Sequence, residues 1–312
     1  MKARTLGIIG GSQAYKLLEE KALSGERLGE RGTPFGNSQP IYKLNTSTKN
    51  ILYFLSRHGE KKYSVTAPFV NYRANIYALK DLGVEVIIAW TGPGAINTDY
   101  KIGDFVVIDD IIDETHSRAS TFFENKGIGF IRMSEPFCPT LRKVLKDTLT
   151  NLNLFFKDKG TYVCTQGPRL ETKAEIKKYK LYGADLVGMT LAPEVFLAKE
   201  LEMCYAALGY VTNYAEGISV GAGLPRPINR ARRPRPYNWV VERKYKKGEL
   251  FEGMLSKEEA KRVDEAVHKF PEIINYIAEN INDYEFTCDC KYSMLRYKER
   301  GDIGEDWREW MK

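Results

Sequence analysis

The chain has 312 residues, 43% of them apolar and 28% charged, with a formal net charge of +6. That content is enough for one large α/β domain with an appendage. The first ten residues hold only a short apolar run, Leu6 to Ile9, followed at once by glycines, and no run is long enough to span a bilayer. These features exclude a signal peptide and a helical membrane protein, and the expectation is a cytoplasmic protein without membrane contact.

In chain order, strand-like and helix-like segments alternate, which predicts an α/β fold. Residues 6–9 read as a buried strand ending in Gly10, Gly11 and Ser12, and 51–56 as a second ending in Arg57, His58 and Gly59. Apolar spacing through Ile76, Leu79 and Leu82 predicts a helix over 71–82, stopped by Gly83. Residues 84–90 form a strand feeding Thr91, Gly92, Pro93 and Gly94, and 105–112 form another. Residues 140–152 are helical, 161–165 a short strand, and 171–182 helical again. After a strand at 186–189, Pro193 opens a helix where its missing N–H is harmless, and 204–212 is the last core strand.

The composition changes near residue 220, giving three parts: an α/β core over 1–220, a basic Pro/Arg loop over 221–255, and a helix and tail over 256–312 packed on the core. Five arginines fall between Arg226 and Arg235 among four prolines. Such a cluster is a solvated linker or a source of charge beside an anionic ligand; nucleic-acid binding is the less favoured reading, because no nucleic-acid module surrounds it. Ser256 through Glu259 fits a capping box, and Pro271 should split the helix near 268–270. The tail after Asn282 is charged and aromatic without periodicity. Of the five cysteines, Cys288 and Cys290 make an isolated CxC with no second pair or histidine cluster to complete a zinc site. The expectation is free thiols and no metal.

Polar or glycine-rich turns recur at successive strand ends, where open α/β sheets collect ligands. Glycine turns present backbone N–H groups to anions. Ser12, Thr91 and Thr190 add hydroxyl donors, and Arg57 adds a planar fork suited to phosphate oxygens. Each has an ordinary structural explanation alone; their recurrence points to an oxyanion site.

These segments resemble methylthioadenosine phosphorylases and the trimeric purine nucleoside phosphorylases over residues 1–218. The resemblance is carried by LGIIGGS ending at Ser12, GTPFG at 32–36, RHG at 57–59, VNYRAN at 70–75 and SEPFC at 134–138. GPR at 167–169, GAD at 183–185, MTLAPEV at 189–195 and TNY at 212–214 continue it. The resemblance implies a twisted, mixed central sheet surrounded by helices, with a C-terminal helical extension here, assembled as a homotrimer or hexamer. It also implies reversible phosphorolysis of a purine nucleoside, with phosphate as co-substrate and no cofactor. Carried over by position, Ser12, Arg57, His58, Thr91, Gly92 and Thr190 are phosphate contacts, and Met189 lies under the ribose.

Two departures from the adenine enzymes choose the base. Those have Thr-Asp-Tyr-Asp where this chain has Thr212, Asn213, Tyr214 and Ala215. An amide at Asn213 serves O6 and N7 of a 6-oxopurine, and Ala215 removes the carboxylate that accepts from a 6-amino group. Glu171, in PRLETKAE at 168–175, resembles the inosine/guanosine type and accepts from N1–H. Asn213, Glu171 and His58 are the expected catalytic set, with His58 a phosphate contact rather than a general base. Tyr63 or Lys62 stands where relatives place a histidine near the 5′ substituent, leaving a hydroxyl or a methylthio group open. Cys138 and Cys204 match positions that some heat-loving relatives use for a disulfide, and those relatives also carry a late CxC. The other readings are an S-methyl-5′-thioadenosine phosphorylase and, in a different class, a non-catalytic nucleoside- or nucleic-acid-binding protein.

Overall fold

The computed structural model describes residues 3–218 and 255–311; the Arg226–Arg235 segment lies outside the described residues. The described residues form fifteen strands: β1 (Thr5–Gly10), β2 (Gly25–Gly29), β3 (Gly32–Thr33), β4 (Gly36–Asn37), β5 (Ile41–Leu44), β6 (Ile51–Ser56), β7 (Val86–Thr91) and β8 (Gly94–Ala95). They continue as β9 (Phe105–Val107), β10 (Asp110–Glu114), β11 (Phe156–Lys157), β12 (Thr161–Thr165), β13 (Leu186–Gly188), β14 (Cys204–Tyr210) and β15 (Asn213–Tyr214). The helices are α1 (Ala14–Glu19), α2 (Tyr72–Asp81), α3 (Pro139–Asn151), α4 (Lys173–Leu181), α5 (Leu191–Glu200), α6 (Lys257–His268), α7 (Phe270–Asn280) and α8 (Leu295–Glu299).

An eight-stranded mixed sheet runs in the order β11-β9-β14-β7-β1-β6-β5-β2, and a five-stranded sheet in the order β10-β12-β13-β8-β15. The strands β6, β1, β7 and β14 are mutually parallel neighbours. Every residue of β7 and β14 is buried, which is why these segments read as unbroken apolar runs: helices cover both faces. The chain passes from the large sheet to the small one four times, after Thr91, Val107, Lys157 and Tyr210. The crossings after Thr91 and Tyr210 bring strand ends of the large sheet and the start of β8 and β15 into one crevice.

Residues 105–112 are not one strand but two, β9 and β10, in different sheets. The break falls at Asp109, whose carboxylate accepts from Gly160 N at 2.9 Å and so anchors the turn between sheets. The edge strand β2 carries no sequence signal, because it lies largely in solvent and so needs no apolar run. Asn71 caps α2 by accepting from Ala74 N, as its position before the apolar period suggests.

Ser256 and Glu259 form the expected capping box, and the helix breaks at Lys269, with Pro271 in the first turn of α7. The tail is short helical turns fastened by large side chains. Met294, Tyr297 and Trp310 are buried in the same core as β1. Tyr297 Oη accepts from Phe130 N at 2.9 Å, Ser293 Oγ donates to Lys199 O at 2.5 Å, and Arg308 pairs with Asp81 at 2.9 Å.

The cysteines overturn the expectation of an isolated CxC. Cys138, Cys204, Cys288 and Cys290 converge, their sulfurs all within 4.8 Å of one another. Neither Cys138–Cys204 nor Cys288–Cys290 forms a disulfide; all five cysteines are free and buried.

Candidate active site

Where the strands switch sheets, a cavity of about 330 Å³ opens, within the range of small-ligand pockets. Ser12 follows β1, His58 follows β6, and Thr91 and Gly92 end β7. Met189 and Thr190 follow β13, and Asn213 and Ala215 come from β15 and its end. Tyr63 and Glu171 complete the wall from two loops. Ten of the positions singled out from sequence therefore line one cavity.

Part of the wall is rich in neutral donors. Thr91 Oγ1 and Thr190 Oγ1 lie 3.3 Å apart, so both hydroxyls face one small volume. Ser12 is held on this wall by Tyr210, whose hydroxyl donates to Ser12 O at 2.7 Å. The turns here require glycine for close approach. A Cβ on Gly11 would stand 2.6 Å from Trp90 O, and one on Gly92 would stand 2.6 Å from Thr212 Cγ2. Larger residues would push the β1 turn off the end of β7.

His58 is buried and stacks on Tyr63 with ring centroids 4.2 Å apart. Its Nδ1 sits 2.8 Å from Val65 O, and a carbonyl only accepts. Nδ1 therefore carries the proton and Nε2 keeps a lone pair. Burial first, and then the neighbouring Arg57 charge, pull the imidazole down to about 3, so it is neutral at physiological pH. Nε2 is an acceptor, suited to a P–OH group rather than to a bare phosphate oxygen.

Arg57 departs from expectation. It is fully buried and is not among the cavity-lining side chains. Its Nε and Nη2 donate to the Glu194 carboxylate at 2.8 and 2.6 Å, and Nη1 reaches Trp90 O at 3.3 Å. The fork expected to grip phosphate grips a carboxylate instead. Burial opposes the Arg57 charge, but the Glu194 carboxylate more than offsets this and holds its pKa above the usual value. Tyr205 Oη donates to Glu194 Oε1 at 2.6 Å, completing the network behind the wall. Glu194 was overlooked in the sequence. A lone carboxylate between Leu191 and Leu197 in an otherwise apolar stretch was the available signal, since a buried charge demands a partner.

Asn213 and Glu171, both buried, line the same cavity. Asn213 Oδ1 accepts from Thr212 Oγ1 at 2.8 Å and Nδ2 donates to Tyr214 O at 3.0 Å, which fixes the amide plane. One N–H of Nδ2 and one lone pair of Oδ1 remain for a ligand. Glu171 Oε1 accepts from Thr165 Oγ1 at 2.5 Å, leaving Oε2 as an acceptor. Ala215 presents only a methyl group to the cavity.

Arg118 also escaped the sequence reading. Its guanidinium donates to the carbonyls of Met189, Ala192 and Gln166 at 2.7–2.8 Å and to that of Thr165 at 3.2 Å. It thereby ties the strand end before Glu171 to the turn carrying Met189 and Thr190. Residues 117–120 have no apolar pattern that marks such a role.

Residues 5–228 match the phosphorylase superfamily. The chain belongs to that superfamily. Within it, the chain is 45% identical over 221 residues to the 6-oxopurine nucleoside phosphorylase of Pyrococcus furiosus, covering 69% of this chain and 81% of that protein. It is 44% identical over 214 residues to a probable S-methyl-5′-thioinosine phosphorylase of Methanocaldococcus jannaschii, covering 69% and 80% respectively. Its fold is similar to a methylthioadenosine phosphorylase from Schistosoma mansoni solved with tubercidin, at 26% identity and a TM-score of 0.74, covering 92% of this chain and 94% of that one. The superfamily match ends at residue 228, so α6, α7 and the tail lie beyond it. Among the described residues, no helix is long and apolar enough to cross a membrane.

Proposed function

We propose that this phosphorylase cleaves 6-oxopurine nucleosides (inosine, guanosine and 5′-methylthioinosine) with inorganic phosphate, releasing the free base and the ribose 1-phosphate. The observation that carries the reading is one cavity lined by an amide, a carboxylate and the three hydroxyls of Ser12, Thr91 and Thr190. Asn213 donates to O6 or N7, and Glu171 Oε2 accepts from N1–H. Adenine has no N1 proton, so its lone pair would face a carboxylate, and Ala215 offers nothing to a 6-amino group. Unpaired buried polar groups of this kind discriminate strongly.

In the reaction, the C1′–N9 bond loosens first and the ribosyl centre gains cationic character. Phosphate, positioned by Ser12, Thr91, Gly92 and Thr190, attacks C1′ from the opposite face. Asn213 and Glu171 stabilise the charge passing to the purine, which takes up through water the proton that the hydrogen phosphate loses as its ester bond to C1′ forms. His58 accepts from the protonated phosphate oxygen through Nε2 and orients it. Met189 supports the ribose. Arg57 acts at one remove, bracing the wall through Glu194. Positioning and fixed dipoles supply the acceleration, and phosphate is the only co-substrate the scheme requires.

Tyr63 and Ala67 line the cavity beside His58 and give it an apolar flank, which favours acceptance of a methylthio group at the 5′ position. Assembly as a homotrimer or a hexamer, and a cytoplasmic role in purine salvage, follow from the same reading. The widely exposed Phe69, Phe130 and Leu181 are consistent with further burial between subunits. A panel of inosine, guanosine, adenosine and their 5′-methylthio counterparts, with and without phosphate, tests the proposal. Phosphate-dependent release of hypoxanthine or guanine is expected. Preferential cleavage of methylthioadenosine would replace it with the 6-amino reading, and phosphate-independent or absent cleavage would end it. Light scattering tests the assembly, where a monomer would refute it.

A further inference from the structure

Four of the five cysteines come from three separate parts of the chain. Cys138 precedes α3, Cys204 opens β14, and Cys288 and Cys290 lie in the tail. Cys288 Sγ is 3.4 Å from Cys138 Sγ and 3.5 Å from Cys204 Sγ, although those residues are 150 and 84 positions away in sequence. All four sulfurs lie within 4.8 Å of one another, and each side chain is at most 9% exposed.

Four thiolates around a divalent ion at the usual ~2.3 Å bond length stand about 3.8 Å apart along the edges of a tetrahedron. The observed separations bracket that figure. Disulfide sulfurs, at about 2.0 Å, would be much closer than the distances found here. We propose that Cys138, Cys204, Cys288 and Cys290 form a closed, structural site for one thiophilic divalent cation of the zinc type, which fastens the C-terminal tail to the phosphorylase core.

The surroundings suit a site of this charge. Four thiolates and one divalent ion carry a net charge of −2, and Lys291 is a cation next to Cys290 in the chain. Backbone bonds fix the two core ligands: Cys138 N donates to Tyr205 O at 2.7 Å and Cys204 N donates to Glu85 O at 3.0 Å. A metal cross-link here would add to the side-chain contacts that already fasten the tail, and would contribute directly to folding. The fifth cysteine, Cys164, is buried elsewhere, with its sulfur 3.6 Å from Ala192 O, and serves as the control.

The test is elemental analysis of the full-length protein purified without chelators, alongside a thiol count after denaturation in chelator without reductant. About one zinc per chain and five titratable thiols are expected. Two results overturn the proposal: less than about 0.2 metal per chain with all five thiols free, or no metal with only one thiol titrating, which would mean two disulfides. Cys288→Ser combined with Cys290→Ser should abolish metal content, lower Tm by roughly 5–10 °C and leave phosphorolysis at moderate temperature intact. Cys164→Ser should keep its metal. Metal retained in the double variant, or lost from Cys164→Ser, would refute the assignment. Replacement of the metal by cobalt(II) should give intense sulfur-to-cobalt absorption in the wild type; its absence counts against four thiolates.

Discussion

The cavity and the C-terminal tail are both assembled from residues distant in sequence, yet they are built in opposite ways. The cavity sits on a rigid frame. The parallel neighbours β1, β6 and β7 end together, and β13 and β15 of the second sheet meet them, so the polar residues at those positions are delivered to the same crevice. The tail has no frame of its own. Its short turns take their places only because Met294, Tyr297, Trp310 and the cysteine pair find slots in a surface already formed. Functional groups on a sheet are thus positioned by topology, whereas groups on a tail are positioned by docking. The helix α5 joins the two regions, since it starts from Thr190 at the cavity and ends at Glu200, beside the Lys199 and Glu202 contacts to the tail.

The contrast can be broken most forcefully behind the cavity. Glu194→Ala leaves Arg57 buried and unpaired, and should cost about 3–5 kcal/mol by chemical denaturation, together with phosphorolysis. A loss below about 1 kcal/mol would mean that the frame does not rest on this pair.

At the cavity itself, Asn213→Asp should change specificity with little change in stability. The ratio of kcat/KM for 6-oxo over 6-amino nucleosides should fall by about 10²-fold, the size of a buried hydrogen-bond mismatch. An unchanged ratio would remove Asn213 from the base site.

Along the connecting helix, Glu200 is buried, accepting from Thr121 Oγ1 at 2.6 Å and Phe122 N at 2.8 Å. Burial raises its carboxyl to about 7, against a usual 4.5. The sign follows from linkage: the protonated form suits the folded state, so its contribution is complete below pH 4.5 and is lost as pH rises towards 7. Glu200→Gln should therefore match wild type near pH 4.5 and exceed it above pH 7 by on the order of 2 kcal/mol, read from urea midpoints. A difference independent of pH would argue that Glu200 is ionised at little cost.

The smallest effect is expected in the tail. Tyr297→Phe removes the acceptor for Phe130 N and should cost about 1 kcal/mol, with kcat/KM unchanged. A loss of activity there would show that the tail and the cavity are not energetically separate.

Much of the fold could be read directly. Residues 51–56 and 161–165 were predicted as strands with the same bounds that are observed, because a strand covered on both faces must be apolar throughout. The capping box at Ser256 and the break before Pro271 were equally visible, since caps and prolines act locally. The β9–β10 split and the edge strand β2 were not visible. Both depend on which sheet edge a segment meets rather than on its own pattern.

At the site, sequence determined which polar residues follow which strands, and the strand ends did the rest. Only the tertiary structure decided that the Arg57 fork turns inward to Glu194, that His58 presents Nε2 as an acceptor, and that the CxC has two partners. The physical reason is range. Hydrogen-bond capacity and apolar period are properties of neighbouring residues, whereas the pairing of a buried charge or the closing of a thiol cluster depends on groups that only folding brings within bonding distance.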